Sequence, residues 1–213
     1  MDRKKQALVI IDLLKEEYPE DICSLEYQKD YELLFATRLA AQCTDERVNK
    51  VTKVLYKVYP TLKSLAEADI NDLENYVRST GFFRVKARDI KATAQILIDR
   101  FDGRVPDTME QLLTLPGVGR KTANLILGDI YGKPAIVCDT HCIRITNLLG
   151  LSTSKDPTKV EFQLKEILPP DESNDFCHRL VLHGRAVCVA RRPKCDICVL
   201  RDHCDYYNSQ NSE

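Results

Sequence analysis

The sequence predicts an all-α protein. Apolar residues recur at three- and four-residue intervals along most of the chain, and the alternation of a half-buried strand is nearly absent. Capping residues, glycines and prolines interrupt the pattern at helix-length intervals.

Taken in order, Leu8, Ile11, Leu14 and Lys15 mark a first helix. Residues 31–41 form a second, with Leu34, Ala36, Leu39 and Ala40 apolar. Thr44 or Asp45 caps a third, which carries Val48, Val51, Val54, Leu55 and Val58 and stops at Tyr59-Pro60. Asp69 caps a short helix reaching residues 76–79, and Gly81 ends it. A long helix follows over about 85–101, with Ala87, Ile90, Ala94, Leu97 and Ile98 on one side, before a turn at Asp102-Gly103 and Pro106. Helices over about 108–114, 119–131, 139–150, 157–167 and 173–190 complete the chain. No low-complexity linker divides it. Gly132-Lys133-Pro134 is the best candidate boundary, and the polar tail after Tyr207 is expected to fray.

With 213 residues, 44% hydrophobic and 30% charged, the chain reads as globular and large enough to bury a substantial core. No apolar run spans a membrane, and residues 1–6 do not lead into a secretory signal, so the expected location is the cytoplasm. A net charge of −1 does not advertise a polyanionic partner; any nucleic-acid surface must come from local basic clusters. Nine cysteines in a reducing compartment point to metal or cluster ligation rather than disulfides.

Three motifs carry chemistry. In Leu115-Pro116-Gly117-Val118-Gly119-Arg120-Lys121-Thr122-Ala123, two glycines frame a tight turn into a helix start. Main-chain N–H groups there can seat a phosphate and grip one nucleic-acid strand without reading bases. A plain glycine turn between core helices is the bland alternative; the basic pair that follows argues against it. In Val137-Cys138-Asp139-Thr140-His141, Asp139 sits at a helix start, where capping alone would explain it. Beside the hairpin and its lysine, a buried catalytic carboxylate is the better reading, with His141 structural or a phosphate contact. Finally, Cys188, Cys195, Cys198 and Cys204 lie within seventeen residues. Four thiolates suit zinc or an iron–sulfur cluster, and the single C-x2-C pair departs from a zinc ribbon. The first gap holds Arg191, Arg192 and Lys194 and no acid, as suits a phosphate-facing loop. Arg84, Lys86, Arg88 and Lys91 form another basic group with Arg120 and Lys121.

On these motifs, with Ala41-Gln42-Cys43-Thr44-Asp45 and Leu182-His183-Gly184-Arg185, the chain resembles the endonuclease III family of helix–hairpin–helix DNA glycosylases over about residues 31–206. The resemblance implies a six-helix barrel over 28–134 carrying the hairpin. It also implies a second domain, made of 1–27 and 135–213, closed by a 4Fe–4S cluster on Cys188, Cys195, Cys198 and Cys204. It places the family's nucleophilic lysine on Lys121 and its essential aspartate on Asp139. It further places the gap-filling glutamine on Gln42, the wedge on Phe82, and a possible monovalent cation on the carbonyls of Leu113, Leu115 and Val118. Gly117, Gly119, Arg120, His141, Arg191, Arg192 and Lys194 become DNA contacts. The implied protein is a monomer, associated with the nucleoid, that acts on double-stranded DNA with damaged bases or abasic sites.

The implied activity is bifunctional: excision of oxidised pyrimidines, then β-elimination 3′ to the abasic site through a lysine Schiff base. The amine must be neutral to attack, which burial and neighbouring cations favour. Two rivals stand against it. An adenine–mismatch glycosylase lacks the lysine and carries a further domain. A non-catalytic DNA-binding or redox-sensing iron–sulfur protein would leave Lys121 and Asp139 without a purpose. The segment 81–87 and Cys43 and Cys138 depart from the family's usual residues, which bears on lesion preference. Cys23, Cys43, Cys138, Cys142 and Cys177 are expected to be small buried hydrophobes.

Overall fold

The computed structural model describes residues 2–20 and 23–210; Met1 of the N-terminal run, Asp21, Ile22 and residues 211–213 of the tail lie outside the described residues. Among the described residues there is no strand, as the periodicity requires. The chain divides into two compact units, one of Cys23–Tyr131 and one of Met1–Ile22 with Gly132–Glu213.

The helices in chain order are α1 (Arg3–Glu17), α2 (Asp30–Ala40), α3 (Asp45–Val58), α4 (Leu62–Ala66), α5 (Ile70–Val77) and α6 (Phe83–Phe101). Then come α7 (Met109–Leu112), α8 (Arg120–Asp129), α9 (Thr140–Leu149), α10 (Pro157–Lys165), α11 (Ser173–Ala186) and α12 (Asp205–Gln210).

In the Cys23–Tyr131 unit, Thr44 caps α3 through the Arg47 N–H and Asp69 caps α5 through the N–H groups of Asn71 and Asp72. Helices α4 and α5 pack on α6, and α2 packs on α3 and α8. Leu33, Leu39, Leu55, Leu65, Leu73, Ile90 and Ile126 fill the core between them. The two-sided apolar pattern of α3 is only half used: Val48, Val51 and Leu55 are buried, while Val54 and Val58 face solvent. Helix α4 was not expected, since five residues are too short for a period to register.

In the other unit, α1 and α9 pack against α11 around Ile10, Leu14, Ile145, Phe176 and Leu180. Ile11 and Leu14 of α1 are buried as expected, and the face continues through Gln6, Ala7 and Ile10 rather than Leu8. Leu8 is exposed, and Gln6 is buried because its carboxamide donates to the carbonyls of Leu149 and His203 at 2.8 and 2.9 Å. Two helix ends also differ. Helix α11 stops at Ala186 rather than about 190, and the tail beyond Tyr207 is helical to Gln210.

Candidate functional site

Helix α7 ends at Leu112, and the chain turns through 113–119 into α8. At Gly117 φ is +72°, and an added Cβ would stand 2.3 Å from Arg38 Nε and 2.5 Å from Asp89 Oδ2. The turn therefore rests directly on a half-buried ion pair, Arg38–Asp89, closed at 2.6 Å. Gly119 is the N-cap of α8 and supplies no side-chain acceptor. A Cβ there would meet nothing within 4 Å, so the bare glycine serves an approach from outside rather than packing. The first N–H groups of α8 are thus open to an anion.

Lys121 is the second residue of α8 and is exposed. Helix α8 turns Ala123, Asn124, Ile126 and Leu127 inward and leaves the lysine on its outer side. Leu113 is exposed, Leu115 is buried and Val118 is partly covered. The Leu115 carbonyl accepts the Val118 N–H at 3.2 Å and keeps a second lone pair.

Gln42 and Phe82 share a rare backbone state. Their φ values are +56° and +47°, and among the described residues only Asp102 is a further non-glycine in that region. Both side chains are exposed, Phe82 to 67%. An exposed aromatic on a strained backbone is costly, and such strain concentrates at ligand-gripping sites. The basic group read beside them is smaller than expected. Lys86 is buried and bonds main-chain carbonyls, and Lys91 bonds the Ala68 carbonyl. Arg84 lies 3.8 Å from Glu74. The spacing 86, 90, 94 already put Lys86 in line with the apolar face of α6, a signal that the count of charges hid.

In the second unit, Asp139 is the N-cap of α9, and its Oδ1 accepts the Cys142 N–H at 2.7 Å. It is half-buried rather than buried, and the cap engages one of its two oxygens. His141 lies over Gly184, where a Cβ would stand 2.3 Å from its Nδ1. Arg191, Arg192 and Lys194 are exposed on the loop after α11. Cys138, Cys142 and Cys177 are buried as expected, and contacts with the other two thiols raise Cys142 well above the usual thiol range; Cys23 and Cys43 are only half-buried.

Cys188, Cys195, Cys198 and Cys204 are free thiols lining one cavity with His183, Val187, Pro193 and Leu200. No three His, Cys, Asp or Glu side chains among the described residues are grouped to hold one metal ion. Four thiols around one cavity fit the cysteine donor set of an iron–sulfur cluster. Burial pushes Cys198 up to about 11 and raises Cys188 and Cys204 as well. His183 Nε2 lies 3.5 Å from Cys198 Sγ, and its Nδ1 lies 3.2 Å from the Tyr18 hydroxyl. Burial lowers His183 to about 4 and raises Tyr18 to about 12. The ring is therefore neutral and the phenol protonated. Beside a Cys198 thiolate, Nε2–H donates to sulfur and Nδ1 accepts from Tyr18. The chain leaves α11 at Ala186 because Cys188 must turn toward this cavity; the Lys194 N–H closes the loop on the Val187 carbonyl at 3.0 Å.

Residues 35–170 match the family described as "HhH-GPD superfamily base excision DNA repair protein", and residues 188–204 match the "iron-sulfur binding domain of endonuclease III". Endonuclease III of Synechocystis sp. is 46% identical over 95% of this chain and 93% of its own length. The chain belongs to the endonuclease III family. Endonuclease III of Escherichia coli K12 is 38% identical over 95% of this chain and 96% of its own length. A solved endonuclease III trapped as a covalent intermediate with DNA superposes with a TM-score of 0.91, at 38% identity, over 97% of this chain and 98% of that one. A thermostable thymine-DNA glycosylase at 21% identity, with a TM-score of 0.87, shares the fold. As in the rest of the endonuclease III family, the fold is the all-α helix–hairpin–helix glycosylase fold with an iron–sulfur domain, and the cofactor is a 4Fe–4S cluster. Sequence reasoning missed the Arg38–Asp89 pair, which joins residues 51 positions apart and leaves no local pattern.

Proposed function

We propose that this endonuclease III family member excises oxidised pyrimidines and then cleaves the strand, with Lys121 as nucleophile and Asp139 as the carboxylate partner. The observation that carries the reading is the start of α8, where a capless glycine turn presents an exposed lysine as the second helical residue. A phosphate seated on the α8 N–H groups would set the sugar against that amine.

Lys121 Nζ attacks the sugar C1′ as the glycosidic bond breaks, and the base leaves with the bonding pair and gains a proton. Loss of a proton from nitrogen and opening of the sugar ring give a C1′ imine. The imine acidifies C2′; loss of a C2′ proton expels the 3′ phosphate, and water then frees Lys121. Asp139 stabilises the cationic sugar and moves protons with its second oxygen. Gln42 and Phe82 fill the space left by the extruded nucleotide. Gly117, Gly119, Arg120, His141, Arg191, Arg192 and Lys194 contact the backbone, and the carbonyls of Leu113, Leu115 and Val118 hold a monovalent cation. Cys188, Cys195, Cys198 and Cys204 would hold the cluster, which would brace the 188–204 loop. In this reading residues 28–134 are the barrel domain, and 1–27 with 135–213 are the cluster domain. No helix among the described residues is long and apolar enough to cross a membrane, and a monomer in the cytoplasm, on the nucleoid, is the matching setting.

Borohydride reduction with abasic duplex tests the reading. A covalent protein–DNA adduct is expected from the wild-type chain and none from Lys121→Ala. An adduct of undiminished yield in the variant would sink the lysine assignment.

A further inference from the structure

Lys86 is a buried cation with no carboxylate partner among the described residues. Its Nζ donates to the Leu39 carbonyl at 2.8 Å and to the Thr80 carbonyl at 2.7 Å. Leu39 lies in the last turn of α2, whose final carbonyls have no helical donor, and Thr80 ends the 3-10 turn before Gly81. The main-chain N–H of Lys86 also donates to the Phe82 carbonyl at 3.1 Å. Gln42 follows Leu39 by three residues, and Phe82 follows Thr80 by two. One residue thus fastens both strained loops from below. A buried ammonium costs free energy that a methionine of similar volume would not, and burial pulls its pKa down. Its position earns that cost only if the carbonyls it holds must stay in place.

We propose that Lys86 is a positioning residue for base extrusion, tying the Gln42 and Phe82 loops to one point so that the two probes enter the duplex at a fixed separation. The inference rests on the extrusion roles given to Gln42 and Phe82 above. The ammonium never touches DNA; it sets the spacing of two side chains that do. Its effect falls on the step that opens an intact base stack, and less on a nucleotide that has already lost its base.

The test compares single-turnover excision of a damaged base in duplex DNA with cleavage of a preformed abasic site in the same duplex. Lys86→Met is expected to slow excision about tenfold or more, the loss of charged hydrogen bonds, and to slow abasic cleavage less than about threefold. Hydrogen exchange should quicken at residues 40–43 and 80–84 and stay unchanged in α8. Combined with Gln42→Ala, it should add little to the slower single variant. Lys86→Gln, which keeps N–H donors without the charge, should fall between Lys86→Met and wild type and replaces Lys86→Met if that chain does not fold. Equal slowing of both reactions, or unchanged exchange in the two loops, would overturn the proposal. Full excision by both Gln42→Ala and Phe82→Ala would instead overturn the extrusion reading, while quickened exchange would still locate the strut.

Discussion

Helices α6 and α8 begin in the same unusual way and place their lysines oppositely, one buried and one exposed. In the same unit α3 and α5 start on side-chain caps, Thr44 and Asp69, whereas α6 starts on Phe82 and α8 on Gly119 with no side-chain acceptor and no acid in the first turn. An uncapped start leaves N–H groups pointing out of the protein. At α8 the following lysine is exposed; at α6 the lysine is folded under the turn and bonds two carbonyls. The difference teaches that charge within a basic cluster does not reveal whether a lysine is a reagent or a strut. The lysine that lies in line with the apolar face of its helix is the strut.

The largest expected effect separates the two lysines outright. Lys121→Gln should lose borohydride trapping and about 10³-fold or more in turnover, with DNA affinity retained in a binding assay; Lys86→Gln should still form the adduct. If both variants trap DNA equally well, the comparison fails. Next is Asp139, which holds a cap and, in our reading, a catalytic role. Asn caps as well as Asp, so Asp139→Asn should keep the melting temperature and lose about 10²-fold in turnover. Asp139→Ala should also lose about 1 kcal/mol of stability. Full activity in the Asn variant would leave only the cap.

The hairpin glycines sharpen the comparison further. Gly117→Ala meets both a left-handed backbone and the Arg38–Asp89 pair, so denaturant titration should show a loss of about 1–2 kcal/mol or more. Gly119→Ala meets open space and should change stability by only about 0.5 kcal/mol, yet weaken DNA binding. Equal affinity in Gly119→Ala and wild type would mean that no strand approaches α8. The smallest effect is that of one exposed arginine: Arg191→Ala or Arg192→Ala should each reduce the slope of log affinity against log salt by about 1.

The helices, the hairpin turn and the cysteines that line one cavity were legible because each is local: a period, a turn with its glycines, a spacing. What stayed hidden depends on pairings across the chain. Nothing near Lys86 in the sequence names the carbonyls of Leu39 and Thr80, and nothing near Gly117 names Arg38. The overrun of α11 has a similar cause. Residues 187–190 hold no glycine or proline to mark a stop, but the ladder breaks where Cys188 turns toward three cysteines further along. The place of Gln6 in the buried face of α1 was hidden because a buried glutamine is indistinguishable from a surface one until its two distant carbonyls are known.

Gly119 has one more implication. Serine or aspartate at a helix N-cap is favoured over glycine by a few tenths of a kcal/mol, and an acid there also complements the helix macrodipole. A chain carrying Gly119→Asp should therefore resist heat slightly better while its new carboxylate fills the place a phosphate would take. The native sequence forgoes that thermostability, and a screen that selected only for heat resistance would drift toward a sturdier protein that no longer holds its polyanion.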